Sequence, residues 1–255
     1  METAYLTDRP SIWLILGIVV LLAGILRGFS GFGSALLIVP ALGFMVGPAA
    51  AVAIATLLEG LATLLLFVPA LKHTNNRTLV AMAGAASVAI PLGHAALTRM
   101  NPALTNLMIS LAVFCMALWM MAGGRLQFSR GIAGRIFAGS LSGFLTGFGG
   151  VGGPPLMLYI LSGTETAEVK RANVITISGV ALIAAMISMY YFGLLDRQAL
   201  LGGVVLAPIF VVGGIAGVRL FKAAPERFYQ RVALSALVVL ACIILIVNLA
   251  RILVE

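Results

Sequence analysis

Two glycine-rich breaks interrupt apolar runs at the same relative place in this chain. The first is Arg27-Gly28-Phe29-Ser30-Gly31-Phe32-Gly33-Ser34, and the second is Thr146-Gly147-Phe148-Gly149-Gly150-Val151-Gly152-Gly153-Pro154-Pro155. Aligned on Gly-Phe-Gly, Gly31, Phe32 and Gly33 correspond to Gly147, Phe148 and Gly149, a constant offset of 116 residues. Unwound backbone at membrane depth survives only where protein or a water-filled cavity satisfies its polar groups. Paired breaks in two halves of a hydrophobic chain are therefore a pointer to a transporter's substrate site.

The surrounding sequence makes the membrane reading firm. Hydrophobic residues are 62% of the chain, charged residues 9%, and mean hydropathy is +1.14, against roughly 25% charged in soluble domains. Apolar runs recur from Ser11 to Val254 and leave no room for a soluble domain longer than a loop. The net charge of +8 is scattered through short loops. A nucleic-acid protein would gather it on one face. The first ten residues carry Glu2 and Asp8 against Arg9, so the basic start of a cleaved signal is missing. Cys115 and Cys242 sit in apolar runs without Cys-x-x-Cys spacing and read as small buried hydrophobes rather than ligands or a disulfide.

Ten segments are expected, at about 11–26, 34–46, 48–71, 78–98, 103–123, 132–146, 154–162, 171–193, 198–220 and 228–253. A full crossing takes about 20 apolar residues. The first, second, sixth and seventh segments fall short, and these flank the breaks. The expected fold is an all-α polytopic membrane protein of two repeats, residues 1–124 and 125–255. Each repeat opens with two short helices joined by a Gly-rich bend, either re-entrant or strongly tilted, and continues with three full spans. Five segments per half, an odd number, invert the second repeat relative to the first. Counting loops alternately puts Arg9, Arg99, Arg197 and Arg251 on one side and the other twelve Lys and Arg opposite. The positive-inside rule then makes the richer side cytoplasmic and both termini external.

Inversion brings one bend in from each side, so their tips meet near the midplane. Helices leaving at Ser34 and near Pro155 would aim free amides and dipole ends at a common point, which suits an anion. Proline is favoured at a helix start, and Ser30, Ser34 and Thr146 add hydroxyls. The alternative is that these glycines only pack helices closely, which accounts well for Gly24 and Gly213-Gly214 but poorly for Gly147 to Pro155. A P-loop is excluded, because neither run continues into Gly-Lys-Ser/Thr.

The bends, the five-plus-five layout and the length resemble the TauE/SafE family of sulfite and organosulfonate permeases. The matching residues are Gly31-Phe32-Gly33 with Pro40, and Gly147 through Pro155. A small-polar patch on the following span is resembled by Ala55-Thr56 and by Asn173 to Thr176. The first copy departs from the pattern, with Ser34 and Ala35 where further glycines would stand. The resemblance implies transport of a sulfur-containing anion, such as sulfite, a sulfonate or a related organic acid, across a bacterial inner membrane; the external termini of the charge count are then periplasmic.

The candidate substrate site is Arg27, Ser30, Gly31, Phe32, Gly33, Ser34 and Thr56 from the first half, and Gly147, Phe148, Gly149, Gly150, Gly152, Gly153, Asn173 and Thr176 from the second. Arg27 either pairs with the anion through its planar fork or snorkels to the interface. Asn173 and Thr176, three apart on one helical face, either bond the substrate or hold a helix contact. Phe32 and Phe148 would either gate the site or stack over an apolar substrate tail. Glu59 stands mid-span in Thr56-Leu57-Leu58-Glu59-Gly60, where an ionisable group is costly and defaults to a functional hypothesis. It is read as the candidate proton-coupling group, with H⁺ as the expected coupling ion and Na⁺ left open, or else as a lock between two helices. His94 is either a relay or a packed histidine, His73 lies in a cytoplasmic loop, and Trp13 and Trp119 are interfacial anchors. No metal or cofactor is expected. An anion channel using the bends as a filter is the rival. An enzyme would need a nucleophile–base pair or a metal set, which two histidines 21 residues apart do not supply.

Overall fold

The computed structural model describes residues 10–30, 33–121 and 131–223. Gly31, Phe32, the tenth segment at 228–253 and Cys242 lie outside the described residues. Those described form nine helices and no strand: α1 (Pro10–Ser30), α2 (Ser34–Val46), α3 (Pro48–Leu71), α4 (Asn76–Arg99), α5 (Pro102–Met121), α6 (Ile132–Gly149), α7 (Gly153–Leu161), α8 (Ala167–Tyr191) and α9 (Arg197–Ala223). Among them α4, α5, α8 and α9 are long and apolar enough to cross a membrane. Loop-side helix starts are capped as their sequences dictate. Asn75 accepts from Arg77 N and Thr78 N on α4, Thr166 from Val169 N on α8, and Asp196 from Ala199 N on α9.

The outer surface is apolar, with Val80, Val88, Leu92, Val204 and Val212 more than half exposed. Apolar surface of this extent marks a face that lipid covers. Cys115 belongs to that surface. It is exposed on α5, on the stripe that carries Met108, Leu111 and Leu118. The expectation that it is buried in protein is therefore corrected: its apolar neighbourhood is the outward face of a helix, not the core. The opposite extreme is α2. From Ser34 to Pro40 it is wholly buried, as suits a helix that is hydrophobic all round.

Two seams of close backbone contact organise the bundle, and they are the most extensive helix pairings in it: α1 with α9, and α4 with α6. On α6, Gly139, Gly143 and Gly147 recur every four residues along one face. A methyl on them would collide with the carbonyl oxygens of Met82, Ala86 and Ile90 on α4. Gly93 of α4 answers against the backbone of Phe144 and Phe148. In the other seam, Gly24 meets Phe210 and Gly213, and Gly28 meets the carbonyl of Gly214. Small residues allow this approach, and close van der Waals packing is what holds helices together in lipid.

The seams also explain where the breaks fall. The apolar runs end near 26 and 146, yet α1 continues helical to Ser30 and α6 to Gly149. Gly28 and Gly147 must stay helical to keep their faces against α9 and α4. Among the described residues, the non-helical chain at the breaks is Gly33 and Gly150 to Gly152. Gly28 lies beside Gly214, nine residues before the end of α9, and Gly147 beside Ile90, nine before the end of α4. At about 1.5 Å per residue, each contact lies roughly 14 Å along the axis from the last described residue of the partner helix.

Gly143→Val should destabilise the protein by about 1–3 kcal/mol or more, because Ala86 backbone cannot yield. Gly84→Val, on the open face of α4 with nothing within 4 Å, should change stability far less. Thermal unfolding of the two variants in detergent compares them directly.

Candidate functional site

Both bends turn on a glycine in the left-handed region, Gly33 at φ 89° and Gly150 at φ 67°, a conformation costly for any residue with a Cβ. Gly150 closes α6 in the left-handed conformation: its N–H donates to Thr146 O at 2.9 Å and Val151 N to Leu145 O at 3.1 Å. Ser142 Oγ donates to the carbonyl of Gly152 at 2.7 Å, and Thr146 Oγ1 to Ser142 O at 2.8 Å. The second bend is thus braced by the Ser142 hydroxyl of its own preceding helix. A side chain at Gly152 would strike Ser142 and Thr146.

The first bend is braced from a different helix. Glu59, on α3, places Oε1 at the start of α2, where it accepts from Ser34 Oγ at 2.6 Å and from Ala35 N at 3.3 Å. A carboxylate there meets free amides and the positive end of the helix dipole. Arg27 stands beside it, Nη1 at 3.9 Å from Oε1, while Nη2 donates to Thr63 Oγ1 at 3.0 Å. Thr63 in turn donates to the Glu59 carbonyl at 2.9 Å. Thr56, Glu59 and Thr63 share one face of α3, and Thr56 spends its hydroxyl hydrogen on Val52 O at 2.7 Å. Arg27 and Glu59 are both partly buried, their side chains 17% and 24% exposed.

The bends meet. A methyl at Gly150 would lie 3.2 Å from Val39 Cγ2 and 3.6 Å from Ala35 Cβ, both on α2, and one at Gly149 3.1 Å from Ile109 on α5. Ala35 is also the residue whose amide reaches Glu59. Gly33, Ser34, Glu59, Arg27 and Gly150 therefore form one neighbourhood. Phe148 is buried and stacks on Phe144, centroids 5.8 Å apart, so it packs beneath the bend. Gly147 faces α4.

Asn173 and Thr176 are placed elsewhere. Asn173 Oδ1 accepts from Asn75 N at 2.8 Å, and Thr176 Oγ1 lies 3.1 Å from Thr74 Oγ1. They hold the α3–α4 loop to α8, where His73 also approaches Glu168 at 3.3 Å. That loop is about a dozen residues of α3 away from Glu59, so the structure does not bring this pair to the bends. His94 is fully buried, its Nδ1 2.7 Å from Ser188 Oγ.

Residues 16–244 match the family model described as Sulfite exporter TauE/SafE. The chain belongs to this family. No curated protein and no solved structure matches it. TauE/SafE membership makes the chain one of a family of sulfur-anion transporters, not of enzymes, and agrees with the apolar exterior. Three residues of this TauE/SafE chain that brace the bends were not among the expected site residues: Thr63, Ala35 and Ser142. Thr63 was within reach, four residues after Glu59 on the same face. Ser142 was too, four before Thr146. Ala35 contributes only its amide, for which no side chain gives a signal.

Ser34→Ala removes the shorter of the two bonds to Glu59. It should lower stability by about 1–2 kcal/mol, the low end for a bond to a charged group that keeps some solvent. Ser34→Thr, which retains a hydroxyl, should lose less in the same unfolding measurement.

Proposed function

We propose that the chain is a secondary carrier moving a small sulfur oxyanion, sulfite or an organosulfonate, across a bacterial inner membrane by alternating access. The substrate binds where the two bends meet, against Gly33 and Ser34, with Ser30, Gly31 and Phe32 of the first glycine run and Gly149 to Gly153 of the second. Arg27 supplies positive charge, and Glu59 couples transport to protons. The observation that carries this reading is the Glu59 carboxylate on the first turn of α2. The donors that would hold a substrate anion already hold an anion of the protein's own. An incoming oxyanion competes with that carboxylate. Protonating Glu59 removes the competing charge and releases the donors. Anion and proton then bind together and move in the same direction.

The two halves, 1–124 and 125–255, act as inverted repeats. The exchange of partners between them supports this: the first helix of each half packs along the fourth of the other, α1 on α9 and α6 on α4, and the third helices α3 and α8 pack on each other. Such an exchange is what a pseudo-two-fold axis in the membrane plane produces. Rocking about that axis would open the bends to one side and then the other. The Gly150 contact on Ala35 and Val39 favours a closed carrier over an open pore.

Glu59→Gln keeps an acceptor oxygen near Ser34 but carries no charge in any state. In proteoliposomes it should retain sulfite exchange at equal pH and lose most of the stimulation that an imposed pH gradient gives the native protein. Unchanged stimulation in the variant would reject proton coupling at this residue.

A further inference from the structure

At the end of the bundle where α4 and α6 begin and α7 ends, a cavity of about 220 Å³ is lined by Thr78, Arg135, Tyr159, Ser162, Thr164 and Glu165, among others. Arg135 lies twelve residues before Gly147 on α6, roughly 18 Å along the helix axis, so this cavity is separate from the bends. Its volume holds several waters at ~30 Å³ each, or one small hydrated ion. It is below the ~300–1,000 Å³ of sites for drug-sized ligands.

The Arg135 guanidinium is incompletely satisfied. Its Nε is buried without a hydrogen-bond partner, an arrangement that native proteins seldom leave unexplained. Among the described residues, no carboxylate comes within ion-pairing distance of it: the ion pairs are Arg27 with Glu59 and His73 with Glu168. Asp196 caps α9. Glu165 lines the cavity, but it is exposed, and its carboxylate lies over Gly163, where it can turn to solvent. The cavity thus pairs a guanidinium fork suited to oxyanions with the side chain of Thr78, which is almost wholly buried, and that of Thr164. On α6 the neighbours Ile132, Ile136 and Phe137 are exposed, so apolar outer surface adjoins Arg135.

We propose that this cavity is a second anion site, in which Arg135 and Thr78 hold one tetrahedral oxyanion, free or as the phosphate of a lipid headgroup. The test uses the full chain in detergent, stripped of lipid, with sulfate and with phosphatidylglycerol as probes. Sulfate should raise the melting temperature relative to chloride at equal ionic strength. Arg135→Gln should lose half or more of that rise. Whatever remains reports binding at the bends. Arg135→Lys keeps the charge without the fork and should fall between the two, and it carries the comparison if Arg135→Gln does not fold. A lipid source predicts that the native protein, but not the variant, retains phosphatidylglycerol in native mass spectrometry. Equal sulfate shifts together with equal lipid retention in native and variant proteins would overturn the proposal.

Discussion

A backbone amide at membrane depth must find its partner inside the protein, and this constraint shapes both bends. The second bend solves it locally. Gly150 turns the chain so that two amides return to α6, and the Ser142 hydroxyl reaches the Gly152 carbonyl. The first bend solves it at a distance, with a carboxylate from α3 capping α2. A hydroxyl brace is permanent, whereas a carboxylate can gain a proton or be displaced by another anion. The difference between the two solutions is the basis for reading the first bend as the one that changes during transport.

That arrangement depends on the glycine seams. Glu59 reaches Ser34 only because α2 is held deep in the bundle, and α2 is deep because α1 runs against α9 backbone to backbone. The same geometry in α6 and α4 carries the second bend to a matching depth. Shape complementarity between backbones, rather than hydrophobic driving force, sets these positions, since lipid tails are as apolar as any side chain. The polar residues at the centre are then few and mutually paired: Arg27 with Thr63 and Glu59, and Glu59 with Ser34.

Most of the architecture was legible in the sequence. Nine of the expected segments coincide with helices to within a few residues at most of their ends, because the breaks between them are made of Gly, Pro and short polar loops that membrane helices cannot absorb. The ends of α1 and α6 were misplaced. Arg27, Gly28 and Gly147 read locally as loop residues, and only a partner helix explains why they stay helical. The same holds for the site. Glu59 stood out as an intramembrane carboxylate, but nothing in the sequence says that it caps α2, because Ser34 and Glu59 are 25 residues apart. For Asn173 and Thr176 the spacing left two readings open, a substrate contact or a helix contact, and their polar groups hold the backbone and side chain of the α3–α4 loop. A polar pair on a buried helix face has the same appearance in either role.

The central claim is that sulfur anions pass through the point where the bends meet. Ala35 and Gly150 are placed to test it, since their Cβ positions, 3.6 Å apart, fall in the ~3.5–4.5 Å range of disulfides. A Cβ at the left-handed Gly150 is itself strained, so the reduced pair rather than the native protein is the reference. The measurement is counterflow of labelled sulfite in proteoliposomes bearing Ala35→Cys and Gly150→Cys, with the native cysteines replaced. The account predicts saturable counterflow that stops when the pair is oxidised and returns on reduction. A bridge that forms while sulfite continues to exchange at the same rate would contradict it.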